Sequence, residues 1–286
     1  MSASNDVAAW VGRSQTVSDT VTQSSVDRFY ATINNGQRGD TISDKKVAPL
    51  GFHWCLGLPD SPMGELGEDG HPQKGGFLPP VELPRRMWAS SKVEFIEPLP
   101  IGATIKRHSS IASITEKSGK TGALVFVGVD HETELDGDVA IREQQTIVYR
   151  EASQSAAPLP DDHGKQPTDW QIIEGLTPSP QLLFRYSALT FNSHRIHYDL
   201  PYAQSEELYP GLIVHGPLMA SLVLQLAAKH GDVAQFSFRG MSPAYCDQSL
   251  FLVANFDQDS QPNTGELATI GGDGRTCLSA KVEFRG

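Results

Sequence analysis

Cysteine is scarce in this chain: Cys55, Cys246 and Cys277 are far apart, odd in number and never in a CxxC pair. Neither a disulfide framework nor a structural zinc site is expected, and a reducing compartment, the cytoplasm, is the simpler reading. Positive charge is also short. Lys and Arg number 23 against 34 Asp and Glu, a formal net charge of −11. That argues against nonspecific nucleic-acid binding, which needs a basic footprint. It also means that an anionic ligand must be drawn in by a few local cations against the overall field. The opening "MSASNDVAAWVGRSQ" lacks a basic segment followed by an apolar one, so no secretory signal is visible. The longest apolar-rich segment, around 211–228, is broken by His215, Pro217 and Gln225 and does not read as a membrane span. What remains is 286 residues, 39% apolar and 20% charged, ample for a buried core in one large domain or two small ones.

Periodicity organises the chain into two halves. "TQSSVDRFYATINNG" (22–36) opens on a capping Thr22, carries Val26, Phe29, Tyr30 and Ile33 at helical spacing and stops at Gly36, which predicts a short amphipathic helix. Residues 37–85 are rich in Gly and Pro and read as a long loop, interrupted by the apolar "LGFHWCLGL". From 88 to 150 come β-rich runs, the later ones divided by the turn signals "KSGKTG" and "DGD", an antiparallel meander. "EASQSAAPLPDDHGKQPTDW" (151–170) has no period and reads as a linker. Beyond it, "GPLMASLVLQLAAKHG" has Pro217 for a first helical turn and Gly231 just past the end. This helix is apolar nearly all round, with only Ser221, Gln225 and Lys229 as a polar stripe. Four further strand-like runs follow it. The division is 1–150, a linker at 151–180, and 181–286; the class is α+β, a helix laid across a curled antiparallel sheet in each half, with sheet edges paired.

The chemistry concentrates in "RYSALTFNSHRIHYD" (185–199), read as a turn after a β-rich run. Three readings stay open here. His194 and His197, three apart with Asp199 nearby, could ligate a metal, although no HExxH or cysteine partner accompanies them. Arg195 and Asp199 could equally be solvated surface charges. The catalytic reading adds Gly216 at the mouth of the long helix, where unpaired N–H groups and the positive end of the helix dipole meet. A carbonyl oxygen on the Gly216 N–H would be polarised, and an imidazole from the His197 turn could act on carbons one or two bonds away.

These residues resemble a known family. "TFNSHRIHYD" followed by "YPGLIVHGPLMASLVLQLA", with "RRMWASSKVEFIEPLPIGATIKRHSSI" and "GALVFVGVDHE" in the first half, is similar to the MaoC-like hotdog hydratases and dehydratases. The nearest branch is hydroxyacyl-thioester dehydratase type 2, with the itaconyl-CoA and mesaconyl-C4-CoA hydratases. The resemblance implies a double hotdog fold, with the substrate and CoA side in the first half and the catalytic motif in the second. The motif of related (R)-specific hydratases, S/T-G-D-x-N-P-x-H, lays Thr190 on the hydroxyl, Phe191 on the glycine, Asn192 on the aspartate, His194 and Arg195 on the Asn and Pro, and His197 on the catalytic histidine. Gly216 falls on the glycine that polarises the thioester.

An asparagine orients but cannot exchange protons, so proton traffic is expected to rest on His197, with Asn192 and His197 holding the water. The implied reaction is hydration of itaconyl-CoA or mesaconyl-C4-CoA to citramalyl-CoA. A free carboxylate on the acyl group needs a cation; Arg185, Arg195 and Arg86 are candidates. Arg239 is a candidate for a CoA phosphate, and His194 for the substrate-binding wall, while His215 is expected to shape the helix entry. No cofactor and no metal are implied, and the partner is an acyl-CoA thioester, with no nucleic acid, no membrane and a homodimer left open. Dehydration of plain 3-hydroxyacyl thioesters on acyl carrier protein or CoA is the alternative, and a non-catalytic acyl-thioester-binding hotdog is the alternative of another class.

Overall fold

The computed structural model describes residues 7–34, 46–119, 122–257 and 263–286. Ten strands form one antiparallel sheet. They are β1 (Ser14–Thr20), β2 (Arg85–Phe95), β3 (Thr104–Gly119), β4 (Gly122–Leu135), β5 (Asp138–Arg150), β6 (Ile172–Leu176), β7 (Val233–Gly240), β8 (Leu250–Asp257), β9 (Thr264–Gly271) and β10 (Thr276–Phe284). Their order is β1-β3-β4-β5-β2-β7-β10-β9-β8-β6. Strands before residue 151 fill one side and strands after 171 the other, and β2 pairs with β7 from Ser90↔Arg239 to Glu94↔Gln235. This pairing removes one exposed edge from each half.

Four α-helices accompany the sheet among the described residues: α1 (Gln23–Ile33), α2 (Pro180–Leu189), α3 (Leu200–Ser205) and α4 (Gly216–Ala228). Thr22 caps α1 by accepting the Ser25 N–H; the expected stop at Gly36 lies outside the described residues. Helix α4 packs on β7, β8, β9 and β10 and also touches α1 and β2. Nine of its residues are buried, so its apolar circumference is wrapped as its sequence requires. The polar stripe is answered residue by residue. Ser221 Oγ donates to the Pro217 carbonyl at 2.8 Å, Gln225 Nε2 to the Leu50 carbonyl at 2.6 Å, and Lys229 meets Glu174 at 2.9 Å.

Two expectations need correction. The run ahead of His197 is a helix, α2, not a strand. Ser179 caps it by accepting the Leu182 N–H, Pro180 opens its first turn, and Leu183 and Tyr186 form its buried face. The start signal Ser179-Pro180 outweighs the aromatic content of "LLFRYSAL". The Gly/Pro-rich stretch, in turn, is more than a connection. Phe52–Cys55 forms a fully buried 3-10 turn, and residues 66–72 close on themselves through a Leu66↔Pro72 bridge.

That small loop docks on the turn carrying His197. Ser193 Oγ donates to the Gly70 carbonyl at 2.5 Å, the Arg195 N–H to the Asp69 carbonyl at 2.9 Å, and the Arg195 guanidinium to the Glu68 carbonyl at 3.0 Å. Gly70 sits at φ +86°, and a Cβ there would lie 1.9 Å from the Ser193 carbonyl oxygen. Only glycine permits the contact. Gly70→Ala is therefore expected to destabilise the fold by about 2 kcal/mol or more. Chemical denaturation reads this directly, and an unchanged midpoint would contradict it.

Candidate active site

A cavity of about 1840 Å³ runs between the halves, and the docked loop, β2, α2, the His197 turn and the start of α4 all line it. His197 sits at the end of the 3-10 turn Arg195–His197 and is buried. Its Nδ1 lies 2.8 Å from the Ile213 carbonyl oxygen. A carbonyl only accepts, so Nδ1 carries the proton and Nε2 keeps its lone pair. The Ile213 N–H returns to the Ile196 carbonyl at 3.0 Å, which locks the turn to the segment entering α4.

The His197 ring stacks on His215, with centroids 3.6 Å apart and planes 19° apart. His215 is the N-cap residue of α4, so the imidazole stands beside the helix mouth where Gly216 begins. His215 Nε2 is tied to Ser187 Oγ at 2.8 Å, which anchors the stack to α2. Burial, with His215 and His194 as neighbours, pushes the His197 pKa well below 6.5. Burial likewise lowers His215 to about 3. Both rings are neutral at pH 7.

Gly216 is half-buried in the cavity wall, and a Cβ built on it would meet only the Trp88 carbonyl oxygen, at 3.9 Å. The space beside it is cavity rather than protein. Its N–H belongs to the first turn of α4, which lacks helical carbonyl partners, and the helix dipole adds positive potential there. Asn192 also lines the cavity, but its oxygen is engaged: Oδ1 accepts the His194 N–H at 3.0 Å. That bond orients the amide group and takes one of the oxygen's two lone pairs. Phe191, on the position of the motif glycine, adopts φ 47°, so the left-handed backbone is kept without the glycine.

The arginines separate. Arg86 lines the cavity. Arg185, Arg195 and Arg239 do not. Arg185 is exposed on α2 and donates to the Ala31 carbonyl of α1 at 3.3 Å. Arg195 bonds Asp199 Oδ2 through Nε at 3.0 Å and Nη2 at 2.8 Å, and covers the Tyr202 ring at 3.9 Å. Arg239 is exposed on β7. Asp199, held by Arg195 and capping α3 through the Tyr202 N–H at 3.1 Å, is drawn away from the metal trio that its spacing suggested.

Other residues in the wall escaped the sequence reading. His71, from the docked loop, packs against His194 with centroids 4.0 Å apart and planes tilted by 38°, and donates Nδ1–H to Asp69 Oδ2 at 2.9 Å. Ligand atoms of Asp69, His71 and His194 lie within 4.8 Å of one another; the tilted ring contact and the Asp69–His71 bond already engage this set with itself. His194 lies 3.7 Å from Glu207, which pairs with Arg85. Deeper, Glu143 is buried and accepts from Trp54 Nε1 at 3.2 Å and from Ser91 Oγ, which in turn accepts Trp88 Nε1–H at 2.9 Å. Burial pushes Glu143 up, but His53, His131 and the Ser91 bond hold it down at about 2. One carboxylate thus fixes two tryptophans of the wall. The "EDGHP" of the loop was the available signal, a histidine two residues after an aspartate in a turn-rich stretch.

Residues 51–246 match the family described as hydroxyacyl-thioester dehydratase type 2. The chain is 43% identical over 288 residues to the mesaconyl-C(4)-CoA hydratase of Chloroflexus aurantiacus, covering 99% of this chain and 100% of that protein. Among solved structures, a MaoC-like dehydratase superposes with a TM-score of 0.74 over 98% of this chain and 99% of that one, at 15% identity. A Mycobacterium tuberculosis protein described as having a double hotdog fold superposes with a TM-score of 0.59 over 96% and 95% of the two chains, at 12% identity. The fold is a double hotdog. No helix among the described residues is long and apolar enough to cross a membrane.

The buried histidines make a stability prediction. His197 and His215 are depressed as given above, and burial likewise lowers His71 from 6.5 to about 4. Unfolding returns all three to ordinary imidazole behaviour, so below pH 6.5 the unfolded chain binds more protons. Their contribution is complete above pH 6.5 and is lost as the pH falls toward the folded values. The thermal midpoint is expected to drop steadily from pH 6.5 to pH 4; a constant midpoint across that range would contradict the burial argument.

Proposed function

Because the chain belongs to the hydroxyacyl-thioester dehydratase type 2 family, whose members are hydro-lyases, we propose that it adds water to an enoyl-CoA. The substrate proposed is mesaconyl-C4-CoA or itaconyl-CoA, the product citramalyl-CoA and the setting itaconate degradation in the cytoplasm. The likeness to the Chloroflexus hydratase over the full chain supports this substrate class. One observation carries the chemistry: a neutral imidazole with a fixed tautomer stacks against the residue that opens α4.

In this reading the thioester oxygen rests on the Gly216 N–H, where the first turn of α4 stabilises the enolate. Asn192 Nδ2 holds the water. Nε2 of His197 takes a proton from that water as its oxygen bonds the β-carbon, and the imidazolium then returns the proton to the α-carbon. One water is added across the double bond, and His197 ends as it began. A strongly desolvated imidazole is a weak base in the resting site; the enolate charge forming a few bonds away favours the imidazolium when it is needed. For itaconyl-CoA, His197 first moves a proton from the α-carbon through the dienolate, then hydrates the result. The family description favours a second reading, dehydration of 3-hydroxyacyl thioesters, which is the same path reversed.

Enoyl absorbance and product mass with a panel of acyl-CoA substrates test the proposal. His197→Ala is expected to lose about 10²–10⁴-fold in kcat. Equal turnover by variant and parent would overturn it, and no turnover by either would leave the acyl-thioester-binding alternative. Gly216→Ala should fold normally, since its new methyl meets little protein, yet lose activity by filling ligand space. Because the His197 pKa is lowered, kcat/KM should be flat through pH 6.5. An acid limb centred there would contradict the assignment.

A further inference from the structure

Several cationic side chains line the cavity, and their partners differ. Arg85 is neutralised by Glu207. Arg107 is spent on the Leu56 and Gly57 carbonyls. Arg86 and Lys74 have no carboxylate partner among the described residues; Arg86 donates to the Pro72 carbonyl at 3.1 Å and Lys74 to the Leu83 carbonyl at 2.6 Å. Two like charges close together and partly out of water repel each other. Their proximity is expressed in Lys74, whose pKa is lowered by burial first and by Arg86 second, with the Asp69 charge opposing both.

Tyr149 stands between them. It faces Arg86 in the β2–β5 register, and Lys74 Nζ lies 5.8 Å from its ring centroid. The residue is 0% exposed, and its buried hydroxyl has no hydrogen-bond acceptor. Tyr149 does not line the cavity, so the guanidinium and the ammonium are the donors this group presents, in a protein whose net charge is −11.

The cluster adjoins the reacting groups by two routes. Arg86 is two residues before Trp88 on one face of β2, and the Trp88 carbonyl is the protein atom nearest the open side of Gly216. Through Pro72, Arg86 also holds the loop whose His71 ring packs, tilted, against His194, which in turn meets His197 edge-on at 5.5 Å.

We infer that Arg86 and Lys74, both packed on Tyr149, form the seat for a free carboxylate on the acyl group of the substrate. The seat holds the acid at the carbon that water attacks, so it selects dicarboxylic monothioesters over plain enoyl thioesters. It rests on the hydratase reading for the identity of the acyl group. The same donors would suit a CoA phosphate, and the test separates the two sources because both substrates carry CoA.

The experiment compares kcat/KM for mesaconyl-C4-CoA and crotonyl-CoA in the parent, Arg86→Gln, Lys74→Gln and Arg86→Lys. The ratio of the two values is expected to fall about 10-fold or more in each Gln variant, with partial recovery in Arg86→Lys. An unchanged ratio, or an equal loss with both substrates as a phosphate contact or a folding defect would give, overturns the seat. Binding of the saturated methylsuccinyl-CoA and butyryl-CoA by calorimetry needs no turnover. If the parent hydrates neither enoyl-CoA yet binds methylsuccinyl-CoA more tightly, and Arg86→Gln abolishes the difference, the hydratase reading falls and the seat stands. Equal binding of both analogues by the parent overturns the seat.

Discussion

The hydrogen bond from His197 Nδ1 to the Ile213 carbonyl organises the rest of the site. It decides which ring nitrogen has the lone pair, and it ties the turn after α2 to the strand-like entry of α4. Stacking on His215 then fixes the plane of the ring, and the helix mouth follows one residue later. His197 and the first-turn amide of α4 thereby come from two segments held to each other by the His197 Nδ1–Ile213 bond and the Ile213–Ile196 backbone bond. Burial keeps the ring neutral, the form in which it can accept a proton.

The two halves divide the work. The second carries His197, Gly216 and the helix dipole. The first supplies most of the walls: the loop at 66–72 clamps the His197 turn through Gly70 and Asp69, and Glu143 anchors Trp54 and Trp88. The β2–β7 pairing that joins the sheets also sets Trp88 beside Gly216. The strand pairing that joins the halves thus also shapes the cavity wall, and a loop far from His197 in sequence touches the turn that carries it.

What the sequence showed depended on how local the physics is. The strands flanked by "KSGKTG" and "DGD" and the apolar helix from Gly216 were legible because period and end signals lie within a few residues. His197 and Gly216, which the motif and the helix start singled out, come near each other in the fold because His197 stacks on His215. Helix α2 was misread because its cap, Ser179, falls outside the apolar run. The polar edge strand β1 has no hydrophobic period and drew no notice. The loop carrying Asp69 and His71 makes sense only against Ser193, 123 residues away from Gly70, so the local "EDGHP" pointed to the residues but not to where they dock. For the same reason Arg185, Arg195 and Arg86 looked equivalent in sequence, and only the structure showed that Ala31 and Asp199 occupy the first two.

The protonation state of the His197 ring tests the central claim most directly. Nitrogen-15 NMR of the histidine-labelled protein, with the signal assigned by its loss in a His197 variant, should show a protonated Nδ1 and an unprotonated Nε2 at neutral pH. That pattern should persist as the pH falls through 6.5. A ring protonated on Nε2, or on both nitrogens at neutral pH, would contradict the account.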